Sequence, residues 1–206
     1  MKSETMRKSI NWSLGIAVTT LVLAAIFSVV STFLLSGVAW GAGMLIVLAI
    51  VLTGVFFDML GIAATAADEV PFNAMASERV YGARESLRIV RNADRFASFC
   101  NDVIGDISGI ISGTATAIVI MQITVRFGYD TSFLQNVINV MFTSVVAALT
   151  VGGKALGKTF AIQFSTDIIL YVGRFFRFVE ERLHITIFSP GKKDKNHQKK
   201  RKTKRK

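Results

Sequence analysis

VINVMFTSVVAALTVGGKALGKT, residues Val137 to Thr159, can be read in two ways. Its end, GGKALGKT from Gly152, satisfies the pattern G-x-x-x-x-G-K-[ST] of a loop that cradles phosphates, which would make the chain a nucleotide hydrolase. Such a loop follows a buried strand and opens a helix within a soluble βαβ unit. What precedes Gly152 is instead an apolar run, and counted from Phe133 to Val151 it is nearly the roughly 20 residues that cross a bilayer core. No parallel sheet is legible anywhere, and VFFD at Val55–Asp58, which resembles a second nucleotide motif, falls inside another apolar run. The stretch therefore reads as the end of a membrane helix. Its glycines let the chain turn, its lysines snorkel to the headgroups, and no nucleotide is expected.

The composition points the same way. The chain has 206 residues, 51% of them hydrophobic, and a mean hydropathy of +0.49, too apolar for an ordinary soluble domain. Three more apolar runs join the one at 133–153. LGIAVTTLVLAAIFSVVSTFLLS, Leu14 to Ser36, has no charge. The run 38–64 is charged only at Asp58, and the run 100–126 carries Asp102 and Asp106 near its start. The expected fold is all-α: a polytopic membrane protein with four transmembrane helices. Lys2, Arg7 and Lys8 before the first run imitate a signal peptide, but the apolar stretch is about twice the usual length of one, so it reads as an uncleaved span. The single cysteine, Cys100, excludes an intramolecular disulfide and reads as a small buried residue.

Charge sets the orientation. With the N-terminal segment 1–13 inside, four spans place that segment, residues 65–99 and everything after 151 on one side. Those segments hold all but Arg126 of the 24 Lys and Arg, as the positive-inside rule requires. An odd number of spans breaks this agreement. The expectation is a multi-pass protein of the cell membrane with both termini cytoplasmic. The basic tail, 190–206, reads as a disordered topology signal. It also invites anionic lipid headgroups at roughly 1 kcal/mol per basic residue. No specific nucleic-acid partner is expected.

Between and after the spans the pattern is amphipathic. Residues 65–99 read as a cytoplasmic helical hairpin started by Pro71, with Met75, Val80, Leu87, Val90 and Phe96 as a broken apolar face. Within 158–186, the residues Phe160, Phe164, Ile168, Val172, Phe175, Val179 and Leu183 recur at steps of three and four. They read as juxtamembrane helix lying in the inner interface, with packing onto the hairpin as the alternative. Gly105, Gly109 and Gly113 form a small-residue stripe that lets another helix, of this chain or a second copy, approach closely. His184 and His197 are the only histidines, so neither a Cys/His metal cluster nor a Ser-His-Asp arrangement can be assembled. The chain reads as a non-enzyme.

Four stretches follow one another in a suggestive order: FDMLGIAATA from Phe57, MASERVYGARESLRIVRNADRF from Met75 to Phe96, VIGD at Val103–Asp106, and GKALGKTFA from Gly153. In order and spacing, over residues 41 to 185, they resemble the membrane domain of the cyclin M/CorC family of magnesium transporters. The family has F-S-A-x-E-T-A-L-x-S, a hairpin like L-A-E-E-G-N-x-G-A-K-x-A-L-x-L-L-x-N-P-E-R-F, then I-G-N and G-E-I-x-P-K-T-x-A. The resemblance implies Mg²⁺ transport or efflux, juxtamembrane helices and a homodimer, and it makes Lys158 the counterpart of the family's P-K lysine. The chain departs where the family offers oxygens to the ion. Asp58 replaces a serine, Gly61 a glutamate, Asp106 an asparagine, Lys154 a glutamate, and Gly157 a proline. Where paired nucleotide-sensing domains usually follow in the family, this sequence reads as a basic tail.

A charged side chain at mid-bilayer costs roughly 2.5–3.5 kcal/mol on insertion scales, so Asp58, Asp102 and Asp106 need a reason. Asp102 and Asp106 are one helical turn apart and repel unless a cation, a lysine or a proton intervenes. In one reading Asp58, Asn101, Asp102 and Asp106 supply oxygen ligands to a hydrated divalent cation, Mg²⁺ as the transported ion. In the other, Lys154 stands where the family keeps a glutamate, pairs with Asp58 and closes the site. The protein is then a transporter-derived scaffold or regulatory subunit. A third account leaves the aspartates wetted at the interface, Asp102 first among them.

Overall fold

Apolar solvent offers backbone N–H and C=O groups no partner, so a segment that crosses it must satisfy them internally, as a helix does. The computed structural model describes residues 2–127 and 132–183, and every regular element among them is helical. The tail 190–206, both histidines and the end of the 158–186 segment lie outside the described residues. The elements are α1 (Lys2–Ser36), α2 (Trp40–Ala66), α3 (Glu69–Ser77), α4 (Ala83–Arg91), α5 (Ala93–Ser98), a π-helical turn (Phe99–Gly105), α6 (Asp106–Phe127), α7 (Ser132–Gln163) and α8 (Ser165–Leu183). Four stretches are long and apolar enough to cross a membrane: Ile10–Ser36, Trp40–Ala66, Ala93–Arg126 and Phe133–Gln163. This is an all-α architecture that fits a multi-pass membrane protein. The third stretch begins at Ala93 rather than Cys100, because α5 runs through the π-helical turn into α6.

The second and third stretches form the centre. Of their most apolar windows, 22% and 56% is buried, against none for the first and fourth, which flank them. The flanking helices bare Leu21, Phe33, Val140 and Leu149, a surface suited to hydrocarbon rather than water.

Glycines decide how closely the spans cross. A Cβ at Gly43 would lie 2.8 Å from Val119 Cγ2, and one at Gly54 2.9 Å from Ser108 Cβ, so α2 and α6 meet at these notches. A Cβ at Gly153 would stand 3.0 Å from Val55 Cγ2, and one at Gly157 2.6 Å from Met59 Cγ. The glycines expected to turn the chain after the fourth span do not do so. α7 continues through GGKALGKT to Gln163, and Val55 and Met59 of α2 fill the notches. A glycine costs a helix about 1 kcal/mol against alanine, and close interhelical packing offsets it. The backbone N–H groups of this stretch are therefore engaged within a helix, not turned toward a phosphate.

Of the stripe Gly105, Gly109 and Gly113, only Gly105 is buried; among the described residues no other helix comes within 4 Å of a Cβ at the other two. α6 turns Ser108, Ser112 and Thr116 inward instead. The hydroxyls of Ser112 and Thr116 donate to the carbonyls of Gly109 and Ser112, at 2.8 and 2.6 Å. Their polarity is satisfied within the helix, so they pack as small residues.

At one end of the bundle lies the hairpin. Asp68 caps α3 by accepting from the Val70 N–H, and Pro71 sits in the first turn, where its missing donor costs nothing. Arg79 (φ 60°) and Gly82 (φ 83°) reverse the chain into α4. α8 then docks on α4. A Cβ at Gly173 would fall 2.0 Å from Ser86 Oγ and 2.5 Å from the Gly82 carbonyl oxygen. Phe72, Ile89, Ile169, Ala63, Ala64 and Ala161 form the core beneath. Packing onto the hairpin, the alternative for this segment, is thus the observed arrangement, through a face that keeps Ile168 and Val172 of the expected stripe and adds small residues. Ala161, Ser165, Ile169 and Gly173 are buried, while Phe160, Phe164 and Phe175 of the expected stripe are exposed. Small residues permit the closest approach, and hydropathy alone ranks them below phenylalanine.

Trp12, early in α1, lies under the Arg95 guanidinium at 4.9 Å, so the start of α1 shares an end with the hairpin and α8. Arg126 lines a small cavity with Val38 and Trp40 at the α1–α2 connection, the other end.

Candidate functional site at the crossing of the central spans

Asp58 sits on α2 between the two glycine-notched crossings, facing α7 and the π-helical turn. Lys154 Nζ stands 3.7 Å from Asp58 Oδ1, with 30% of the lysine side chain and 16% of the aspartate exposed. Gly105 gives the pair its space: a Cβ there would lie 3.7 Å from Lys154 Nζ, 3.8 Å from Asp58 Oδ1 and 3.4 Å from the Cys100 carbonyl oxygen. The notch at Gly153 brings α7 onto Val55 and so delivers its neighbour Lys154 beside Asp58, one turn along α2.

One turn further along α2, Gly61 leaves room for Asn101. A Cβ at Gly61 would fall 1.9 Å from Asn101 Oδ1, so the amide occupies the volume a side chain at 61 would need. That oxygen is buried without a hydrogen-bond partner among the described residues, an arrangement that costs about 1–3 kcal/mol. The π-helical turn widens the helix by one residue and is the kind of local defect found at functional sites. It turns Asn101 and Gly105 toward α2 while Asp102 and Asp106 stay exposed.

Asp102 accepts a hydrogen bond from Ser98 Oγ at 2.5 Å, and Asp106 opens α6 on the same exposed side. The four residues read as oxygen ligands thus divide: Asp58 and Asn101 turn to the crossing, Asp102 and Asp106 away from it. Among the described residues no three His, Cys, Asp or Glu side chains stand close enough to hold a metal ion. The crossing contains one carboxylate, one ammonium and one unpaired amide oxygen. That set can fix charge and helix register; it contains no nucleophile paired with a base.

No family model, curated protein or solved structure matches this chain. The likeness to the cyclin M/CorC family rests on the quoted stretches and their order. Gly61 enters the sequence reading only as a lost ligand position of the resembled family, and Gly153 and Ser98 do not stand out as site residues. Gly153 and Gly157, four apart in an apolar helix, carry the same small-residue signal as Gly105, Gly109 and Gly113.

Proposed function

We propose that the protein is a non-enzymatic, multi-pass membrane scaffold or regulatory subunit with a transporter-like build, its termini cytoplasmic, in which the Lys154 ammonium takes the place of a bound cation. The observation that carries this reading is the Lys154–Asp58 pair at 3.7 Å, at the point where the resemblance implies an ion. An ammonium beside the carboxylate neutralises it inside the apolar slab, and the exposed placement of Asp102 and Asp106 leaves few oxygens for a divalent ion, which takes six or more. The hairpin, α8 and the start of α1 gathered at one end support a common cytoplasmic side. Exposed Gly109 and Gly113 offer a helix face that a second copy can approach, as the homodimer of the resemblance requires.

A second reading, movement of Mg²⁺ or a similar ion, draws on the unpartnered Asn101 oxygen. If Lys154 swings toward its exposed side, Asp58 and Asn101 offer two ligands to a hydrated ion. Full-length protein in proteoliposomes with an internal Mg²⁺ dye separates the two. We expect no flux above empty liposomes and no change of thermal stability with Mg²⁺, while Lys154→Glu gains Mg²⁺-dependent stabilisation. Flux through the unsubstituted protein overturns the scaffold reading in favour of transport.

A further inference from the structure

A cavity of about 1010 Å³ opens beside the candidate site, between α2, the α4–α5 corner, the start of the π-helical turn and α8. Its walls include Phe57, Phe96, Phe99, Phe175 and Phe176, and the one charged side chain among its lining residues is Arg95. Protein interiors pack as densely as organic crystals, with few voids larger than a water molecule. Water in this space would face ring carbons with few partners, and an apolar cavity does not hold it well. The volume is at the top of the range for ligand pockets, roughly 300–1,000 Å³. The cavity opens outward past Phe56, Tyr171 and Phe175, whose side chains are more than half exposed.

Its surroundings suit one class of occupant. The cavity lies where apolar spans meet the hairpin, so its mouth is at the level of the membrane surface when the four spans cross a bilayer. The outer face of α8 continues from the mouth as Tyr171, Phe175 and Phe178, with Arg174 stacked on Tyr171 (5.5 Å) and Arg182 on Phe178 (5.7 Å). Amphipathic rings and arginines of this kind sit at headgroup depth. The Arg95 guanidinium lies over the Trp12 ring at 4.9 Å, and a guanidinium carries a planar fork of N–H donors that matches a phosphate bidentately.

We propose that this cavity binds one anionic phospholipid of the surrounding bilayer, an acyl chain among Phe57, Phe96 and Phe176 and the phosphate on Arg95. The inference rests on the chain being embedded in a membrane but not on whether the Asp58 site is closed, and the two are read out separately. The occupant adds to the direct packing of α2, the hairpin and α8 around Ile89 and Ile169. It is a different attraction from that of the basic tail, because it requires a shaped apolar space as well as positive charge.

The test is native mass spectrometry of the full chain purified in neutral detergent, followed by titration of the delipidated protein with phosphatidylglycerol and phosphatidylcholine. The unsubstituted protein retains one phosphatidylglycerol per chain and prefers it to phosphatidylcholine. Leu60→Trp, which fills the cavity, lowers retention at least about tenfold, and Arg95→Gln removes the headgroup preference, as expected for loss of a charge-assisted contact. Val140→Ala, on the exposed face of α7 and outside the cavity, leaves both unchanged. Equal retention by Leu60→Trp, equal binding of the two lipids, or an unaltered preference in Arg95→Gln overturns the proposal. Should Leu60→Trp fail to fold, phosphatidylglycerol with a photoactivatable acyl chain decides on the unsubstituted protein. Cross-links on Phe57, Phe96 or Phe99 support the site; cross-links confined to α1 and α7 show only annular lipid and refute it.

Discussion

Asp58 and Glu85 are both carboxylates held mostly out of water, and each faces a partly exposed cation at nearly the same distance. Lys154 Nζ is 3.7 Å from Asp58 Oδ1, and Arg177 Nη1 is 3.6 Å from Glu85 Oε1. The surroundings differ. Arg177 also donates from Nε to Glu181 Oε1 at 2.7 Å, and the Tyr81 hydroxyl donates to Glu181 Oε2 at 3.1 Å. That hydrogen bond to Glu181 is the first cause holding the Arg177 guanidinium above its ordinary pKa. In this mesh at the hairpin end Arg177 is shared between two carboxylates and is itself open to water, and Glu181 also keeps the Tyr81 hydroxyl. Between the spans the carboxylate of Asp58 is answered by a single lysine tail in a setting built for hydrocarbon. The same ion-pair distance therefore carries different consequences, set by what else can solvate the charge.

The largest expected effect breaks the inner pair from its cationic side. Lys154→Met leaves Asp58 without its ammonium and costs about 3 kcal/mol, the scale of an unpaired carboxylate in the apolar slab. Unfolding of the detergent-solubilised protein measures it. Asp58→Asn combined with Lys154→Met recovers most of that loss, because the double variant strands no charge. If the single and double variants are equally unstable, the lysine stabilises through packing and the contrast with the hairpin dissolves.

Next comes the contact that holds the hairpin to α8. Gly173→Val places atoms where Ser86 Oγ and the Gly82 carbonyl already stand, and the Gly82 backbone cannot rotate aside as a side chain can. Overpacking of this kind costs about 2 kcal/mol. α8 leaves α4, and limited proteolysis after Gln163 accelerates while the four spans stay folded. Unchanged proteolysis means the helices separate slightly and keep their contact, which makes the mesh rather than the glycine the adhesive.

These two outcomes bear on what could be read from the chain alone. The four spans were legible because about 20 apolar residues in a row are hard to house anywhere but in a bilayer. Lys154 came into view beside Asp58 through the order of the quoted stretches. The direction of each glycine was not legible. Gly109 and Gly113 look like Gly153 and Gly157 in sequence, yet the first two face outward and the second two receive Val55 and Met59. The π-helical turn at Phe99–Gly105 is a second unmarked feature, which inserts one residue ahead of α6. Nothing in FCNDVIG announces that extra residue. Asp102 and Asp106 were drawn toward the ion site as carboxylates in an apolar run and, for Asp106, by the resemblance; they do share a side, and it is the exposed one. The arrangement of α8 was hidden for a related reason, since its tightest contact uses Gly173 rather than the phenylalanines that dominate its pattern.

A smaller effect compares the outer pair directly with the inner one. Arg177→Met removes a guanidinium whose side chain is 44% exposed, so water screens much of the change and the cost is about 1 kcal/mol. Tyr81 and the other end of the mesh remain. A loss equal to that of Lys154→Met refutes the idea that solvent access separates the two pairs; the low exposure of Glu85, 5%, would then dominate.

The smallest effect is visible only as a pH trend. Reduced contact with water, the hydrogen bond to Glu181 and that carboxylate's charge push the Tyr81 phenol above its ordinary 10.0. The folded protein therefore holds the phenolic proton more firmly than the unfolded chain. Stability from this source is complete below the ordinary phenol value and fades as pH rises through the raised one. Tyr81→Phe cannot donate and has nothing to titrate, so the unsubstituted protein melts higher than the variant near neutrality. The gap narrows as pH rises above the ordinary phenol value of 10.0. Lys154→Met made in the Tyr81→Phe background loses as much as it does alone, because the two regions share no partner. A gap that stays constant across that pH range means Glu181 spends its charge on Arg177 alone, and the mesh at the hairpin end is then a chain of two links rather than three.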